Sequence, residues 1–214
     1  NTHSVNIVVT DTNISQTIKQ RFDLYVTKLR FEDIVTQLNE TNSFSLDDSI
    51  LLDVDLTIQN NQTLTLAQDA VNSTNGSIRI NKNTTLTIAT GGALILNNNT
   101  YVNDSGTLVN NGTITNNGGT VRVKLASGVF TNNNLINNNI GGRLINEKTF
   151  NCLQNSVITN NNIFINSGTY SNYGTLTNTV VGNDSSVITN TGTFNNIITG
   201  LDSGVITNNA RIDN

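Results

Sequence analysis

Proline, methionine and tryptophan are missing from this 214-residue chain, which has one cysteine and one histidine. Each gap excludes something. Without proline no position forbids a backbone hydrogen bond, so long uninterrupted strand ladders are open to the chain. Cys152 has no partner for an intramolecular disulfide, and in TFNCLQ it reads as a small packed apolar residue. His3 alone cannot assemble a Ser–His–Asp, Cys–His or zinc site. Charged residues are 12 % of the chain and the formal net charge is −4. One basic cluster (Lys19, Arg21, Lys28, Arg30) is interleaved with Asp23, Glu32 and Asp33, so it makes no phosphate-binding stripe and nucleic acid is not a partner. No run approaches the apolar length of a membrane span, and no membrane insertion is expected.

Asparagine instead makes up about a fifth of the residues and threonine about a seventh, well above ordinary usage. SGTLVNNGTITNNGGT, from Ser105 to Thr120, shows how they are used: glycine, threonine, an aliphatic residue and asparagine recur every six residues. From Asn155 onward the chain divides into hexads without a gap, beginning NSVITN, NNIFIN, SGTYSN and YGTLTN. The fourth place is apolar except at Gly182 and Gly200, and the sixth is always Asn or Asp. These two glycines are eighteen residues apart, which suggests a unit of three hexads, one triangular turn of a solenoid.

The fold class is therefore all-β, a parallel β-helix with three faces and coils of about 18–22 residues. One apolar column is expected to run Leu64, Leu86, Leu108, Phe130, Phe150, Tyr170, Ile188 and Ile206. A second runs Ile114, Ile136, Ile158, Leu176, Phe194 and Ile212, and a third Val123, Leu144, Phe164, Gly182 and Gly200. Alternation points the middle residue of TLTI or VIT inward and its neighbours outward. Glycine beside each strand is read as allowing positive φ at a tight corner, and asparagine as a left-handed corner residue. Stacked corners would form amide ladders, one through Asn172, Asn190 and Asn208, another through Asn160, Asn178, Asn196 and Asn214.

Residues 1–45 do not repeat and are expected to form a small α/β cap on the repeat domain, 46–214. SVNIVVT reads as a strand, and Ile18, Phe22, Tyr25 and Leu29 are spaced as on a helix. The chain ends mid-pattern at NNARIDN, an open edge suited to cover by continuing chain or another subunit.

Little here carries chemistry, and no enzyme is expected. Asp47, Asp48, Asp53 and Asp55 are candidate calcium ligands, since hard oxygens suit that ion, but a solvated first strand explains them as well. Arg79 with Lys82, and Arg122 with Lys124, read as solvated single-coil pairs. Outward Thr pairs at Thr63/Thr65, Thr85/Thr87, Thr113/Thr115 and Thr175/Thr177 raise an ice-binding array, although Val157 interrupts it. A carbohydrate-binding or carbohydrate-cleaving face would need aromatic platforms and stacked acids, and Tyr101, Tyr170 and Tyr173 are too few to show one. Ile163, Ile165 and Val181 hint at an outward apolar stripe for self-association.

The repeats TLTIATGGALILNNN, SGTLVNNGTITNNGG and YGTLTN resemble those of filamentous-haemagglutinin-type adhesins and of β-helical virion fibres. That resemblance implies a right-handed solenoid on a cell or virion surface, extracellular and non-enzymatic. It also implies a role in structure or adhesion, with other fibre subunits or surface glycans as partners. The even hexads also resemble left-handed hexapeptide helices but lack their glycine at i+1.

Overall fold

Four-residue strands recur throughout the computed structural model, which describes residues 2–11, 16–25, 31–69, 74–124, 127–179, 187–190, 193–196, 198–199, 202–203, 205–208 and 211–213. In most, the second and fourth residues are buried and the others face out, as strand alternation requires. The strands collect into three parallel walls of eight, eight and seven. The chain visits the walls in a fixed order. Ala93–Leu96 belongs to the first (the aliphatic wall), Tyr101–Asp104 to the second (the arginine wall) and Thr107–Asn110 to the third (the aromatic wall). Each circuit adds one rung to each wall, which is a parallel β-solenoid.

Register corrects the expected columns. In the aromatic wall the column is Leu56, Leu86, Leu108, Phe130, Phe150, Tyr170 and Phe194. Leu64 is not in it: it pairs with Leu94 in the aliphatic wall. Ile188 pairs with Phe164 in the arginine wall, and Ile206 with Leu176 in the aliphatic wall. There too Ile206, not Phe194, follows Leu176, and in the arginine wall Val121, not Val123, pairs with Leu144.

The cause is uneven coil length. Ile158 meets Leu176 eighteen residues on, but Phe164 meets Ile188 after twenty-four and Leu176 meets Ile206 after thirty. These two coils therefore exceed the expected 22 residues. Gly182 and Gly200 lie outside the described residues. Next to Gly200, Ile198–Thr199 and Asp202–Ser203 form a small antiparallel pair.

Inside the tube, Phe130 and Phe150 stack at 4.4 Å between ring centroids, and Tyr170 meets Phe150 edge-on at 5.2 Å. Phe164 of the arginine wall closes the cluster against Tyr170 at 5.0 Å. Each such side chain contributes about 1.5–3 kcal/mol by leaving water.

The amide ladders are inside as well. The strand-final asparagines from Asn110 to Asn178 are fully buried, facing inward rather than sitting at left-handed corners. Asn116 Nδ2 donates to Asn138 Oδ1 at 2.8 Å, Asn138 to Asn160 at 2.6 Å, and Asn160 to Asn178 at 2.6 Å. Asn178 pairs with Asn208, Asn172 with Asn196, and Asn166 with Asn190, so the six expected ladder residues fall on all three walls. The expected Asn160–Asn178 step is present, whereas Asn196 and Asn190 stand in other stacks. Left-handed backbone is instead taken by turn residues such as Asn61, Asn83 and Asn155.

Gly91, Gly118 and Gly141 take the expected positive φ, whereas Gly112, two residues after the ladder residue Asn110, has a different role. Gly112 does not have positive φ; a Cβ there would lie 2.2 Å from the Gly92 carbonyl oxygen of the preceding coil. Its amide donates to Asn110 Oδ1 at 3.2 Å. The glycine permits close approach of two rungs.

The chain divides into two compact units, Asn1–Arg30 and Phe31–Asn214. In the first unit Thr2–Asp11 pairs antiparallel with Gln16–Tyr25. The helix expected through Ile18, Phe22 and Tyr25 is thus a strand there; the four-residue interval from Ile18 to Phe22 fits a two-residue period as well as a helical one, although the three from Phe22 to Tyr25 does not. The helix lies further on, at Phe31–Thr41, and belongs to the solenoid unit. Ile34 and Leu38 on it are buried, Glu32 and Asp33 complement its N-terminal dipole, and Asn42 ends it with φ 59°. Gln62 Nε2 donates to the Leu38 carbonyl at 3.1 Å, which fixes the helix end to the first coil. No helix among the described residues is long and apolar enough to cross a membrane.

Candidate functional site

Outward positions distinguish the walls. On the aromatic wall they read Thr85/Thr87, Thr107/Val109, Val129/Thr131, Thr149/Asn151 and Thr169/Ser171. On the aliphatic wall they read Thr63/Thr65, Ala93/Ile95, Thr113/Thr115, Leu135/Asn137, Val157/Thr159 and Thr175/Thr177. Neither set contains a charge. Three of the four Thr pairs share the aliphatic wall, separated by Ala93/Ile95, Leu135/Asn137 and Val157; Thr85/Thr87 stands on the aromatic wall.

The arginine wall is different. Register aligns Ser77, Tyr101, Thr120, Arg143 and Ile163 in one outward column. Arg79, Arg122, Ile145 and Ile165 align in the other. Tyr101, Arg122, Arg143, Ile145, Glu147 and Ser167 are among the residues lining an open groove of about 630 Å³ on this wall. Strand geometry spaces the rungs about 4.8 Å apart, so Tyr101 and Arg143, two rungs apart, bracket the groove at roughly 10 Å.

Glu147 sits one residue past its strand, where the chain turns toward the aromatic wall. From there its Oε1 accepts from Arg122 Nε at 3.1 Å and also pairs with Arg122 Nη2. Both side chains are about a third exposed (36 % and 30 %), so the pair holds Arg122 in place but is screened. Arg143 is exposed and has no ion-pair partner among the described residues. Tyr101 keeps 43 % of its surface in solvent. The groove combines a held ion pair, an unpaired guanidinium, an aromatic ring and two isoleucines, which suits binding more than bond-making.

The remaining candidates do not join it. Asp47, Asp48, Asp53 and Asp55 are all exposed around the Ser49–Leu52 strand. Asp48 Oδ1 accepts from the Ser49 amide at 2.7 Å, and Asp55 Oδ1 from the Thr85 amide at 2.7 Å. No group of three or more His, Cys, Asp or Glu side chains able to hold a metal converges among the described residues. Tyr170 is buried in the aromatic cluster and offers no platform. Cys152 takes the ladder position between Asn132 and Asn172, where burial pushes its thiol up to about 12. Val181 lies outside the described residues.

Sequence reading missed two features. Arg79, Tyr101, Arg122, Arg143 and Glu147 looked unrelated because the intervals between rungs on this wall vary: Ile78 to Val102 is 24, Val102 to Val121 is 19, Val121 to Leu144 is 23. Aligning strands by their order within each coil, not by a fixed period, would have found them. The other is Asp104, fully buried between the Ile80 and Val123 rungs. Its Oδ1 accepts from the Gly106 amide at 2.9 Å, its Oδ2 has no partner, and burial pushes its carboxyl up to about 7.

Comparison with protein-family models, with curated proteins and with solved structures finds no match for this chain.

Proposed function

We propose that this chain is a non-enzymatic structural or adhesive solenoid, a segment of an extracellular or virion-surface fibre or appendage, with the arginine wall as its contact face. The observation that carries the reading is the segregation of outward charge onto one wall while the other two stay uncharged. A catalytic site would instead call for convergent acid, base or nucleophile groups. The repeat style resembles that of filamentous-haemagglutinin-type adhesins and β-helical virion fibres, which supports the surface assignment. Partners are further fibre subunits, copies of this chain, or glycans on an opposing surface.

The test couples the purified chain to beads and measures their retention on cell surfaces. Light scattering across a dilution series follows self-association in parallel. Adhesion or concentration-dependent assembly that is lost when Tyr101, Arg122 and Arg143 are replaced together supports the reading. Beads that do not adhere, together with a monomer at every concentration, overturn it.

A further inference from the structure

We infer that the groove on the arginine wall binds an anionic saccharide chain, taking a hexuronate carboxylate on Arg143 and a sugar face on Tyr101. This rests on the adhesive reading above and specifies the ligand class for the same face.

Charge is the first argument. The chain as a whole is acidic, yet the groove is lined by Arg122 and Arg143 against the carboxylate of Glu147, and Arg79 stands on the same wall. Glu147 is spent on Arg122, which leaves the exposed Arg143 guanidinium as the groove's free cation among the described residues. A guanidinium presents a planar fork of donors that matches a carboxylate in two parallel hydrogen bonds. An anionic group is the ligand feature that this position recognises.

The other surfaces decide what carries the anion. Tyr101 offers an exposed ring two rungs from Arg143, a flat apolar platform with a polar tip. Thr120 contributes a hydroxyl that both donates and accepts. Glu147 Oε2, with no protein partner among the described residues, adds an acceptor. Ile145 and Ile165 supply an apolar strip beside them. A chain of hydroxyls, apolar C–H faces and spaced carboxylates matches this lining.

An acidic peptide matches it less well. Extended peptides gain affinity by adding a strand to a sheet edge. The groove strands Tyr101–Asp104, Thr120–Val123, Arg143–Asn146 and Ile163–Asn166 are each paired on both sides. Their backbone groups are already used, so only side chains are available to a ligand. That favours a molecule recognised through hydroxyls and ring faces.

The experiment is calorimetric titration of the full chain with three probes: an α-linked oligogalacturonate, the same oligomer fully methyl-esterified, and polyglutamate of similar charge. The expected result is binding of the free-acid oligomer alone. Arg143→Gln should weaken it by about tenfold or more. Tyr101→Ala should weaken it by at least about fivefold through loss of ring contact. Lys82→Gln, an exposed cation outside the groove, should stay within about twofold. Both groove positions are exposed, and unchanged melting curves establish that the variants fold. Failure of the wild-type chain to bind oligogalacturonate overturns the inference. So does equal binding of polyglutamate, or binding indifferent to Arg143→Gln. Any of these with beads that still adhere leaves the adhesive reading intact; loss of bead adhesion and assembly removes that reading itself.

Discussion

The coils before Gly106 and those after it fill the same tube with different chemistry. In the earlier strands both inward positions are aliphatic: Leu64 with Leu66, Leu86 with Ile88, Leu94 with Leu96. Later the second inward position becomes asparagine, at Asn110, Asn116, Asn132, Asn138, Asn146 and Asn160. A leucine rung is stabilised by burial whatever lies above or below it. An asparagine rung is not, because a buried amide without partners costs about 1–3 kcal/mol. It is tolerated when the next coil supplies the same amide in register. The comparison separates a core that needs only volume from one that needs identity between neighbours.

The largest effect should come from moving one chemistry into the other region. Leu66 lies between Leu46 and Leu96, whereas Leu96 lies next to Asn116, whose Oδ1 is buried without a partner. Leu66→Asn should cost about 4–5 kcal/mol, the lost burial plus an orphaned amide. Leu96→Asn should cost about 2 kcal/mol less, because its new amide can donate to Asn116. Urea unfolding of the two variants measures the difference, and equal costs would break the comparison.

Asp104 stands at the transition, a carboxyl where later coils place an amide. Burial pushes it from 3.8 to about 7, so the folded chain binds its proton more tightly than the unfolded chain. Between about pH 4 and pH 7 the folded state therefore holds more protons, and stability falls as pH rises. Asp104→Asn should remove that slope and raise stability at about pH 8 by a few kcal/mol, with little gain near pH 3.5. Thermal melts of both proteins across this range provide the check.

Within the asparagine region, Asn138→Ala removes the middle of the Asn116–Asn138–Asn160 ladder and should cost about 3 kcal/mol in urea unfolding. A cost below about 1 kcal/mol would mean that backbone contacts carry the ladder residues and the stack adds nothing. On the outside, Glu147→Gln should shift stability by less than about 1 kcal/mol, since the Arg122 pair is screened.

The alternation that produces the walls was legible in TLTI, VITN and TYSN, because strand geometry acts over four residues and needs no register. The identity of stacking partners was not. Leu64 and Leu86 share a spacing of 22 with the true column, but a thirty-residue step from Leu64 to Leu94 puts them on different walls. Only pairing across coils decides this. The amide ladder was readable as a tendency of asparagine to stack, yet its inward position was not, since corner and core both favour the residue for different reasons. The groove was hidden for the same cause as the columns. Arg122 and Arg143 become neighbours only through the pairing of Val121 with Leu144.

The asparagine ladder also has a direction. From Asn116 through Asn138 and Asn160 to Asn178, every side-chain amide donates toward the higher-numbered coil. Side-chain dipoles so aligned in a buried interior polarise one another and add along the axis. The interior of the later coils is thus electrically polar end to end, with an oxygen pole at Asn116 and a hydrogen pole toward Asn178. The aliphatic interior of the earlier coils has no such axis.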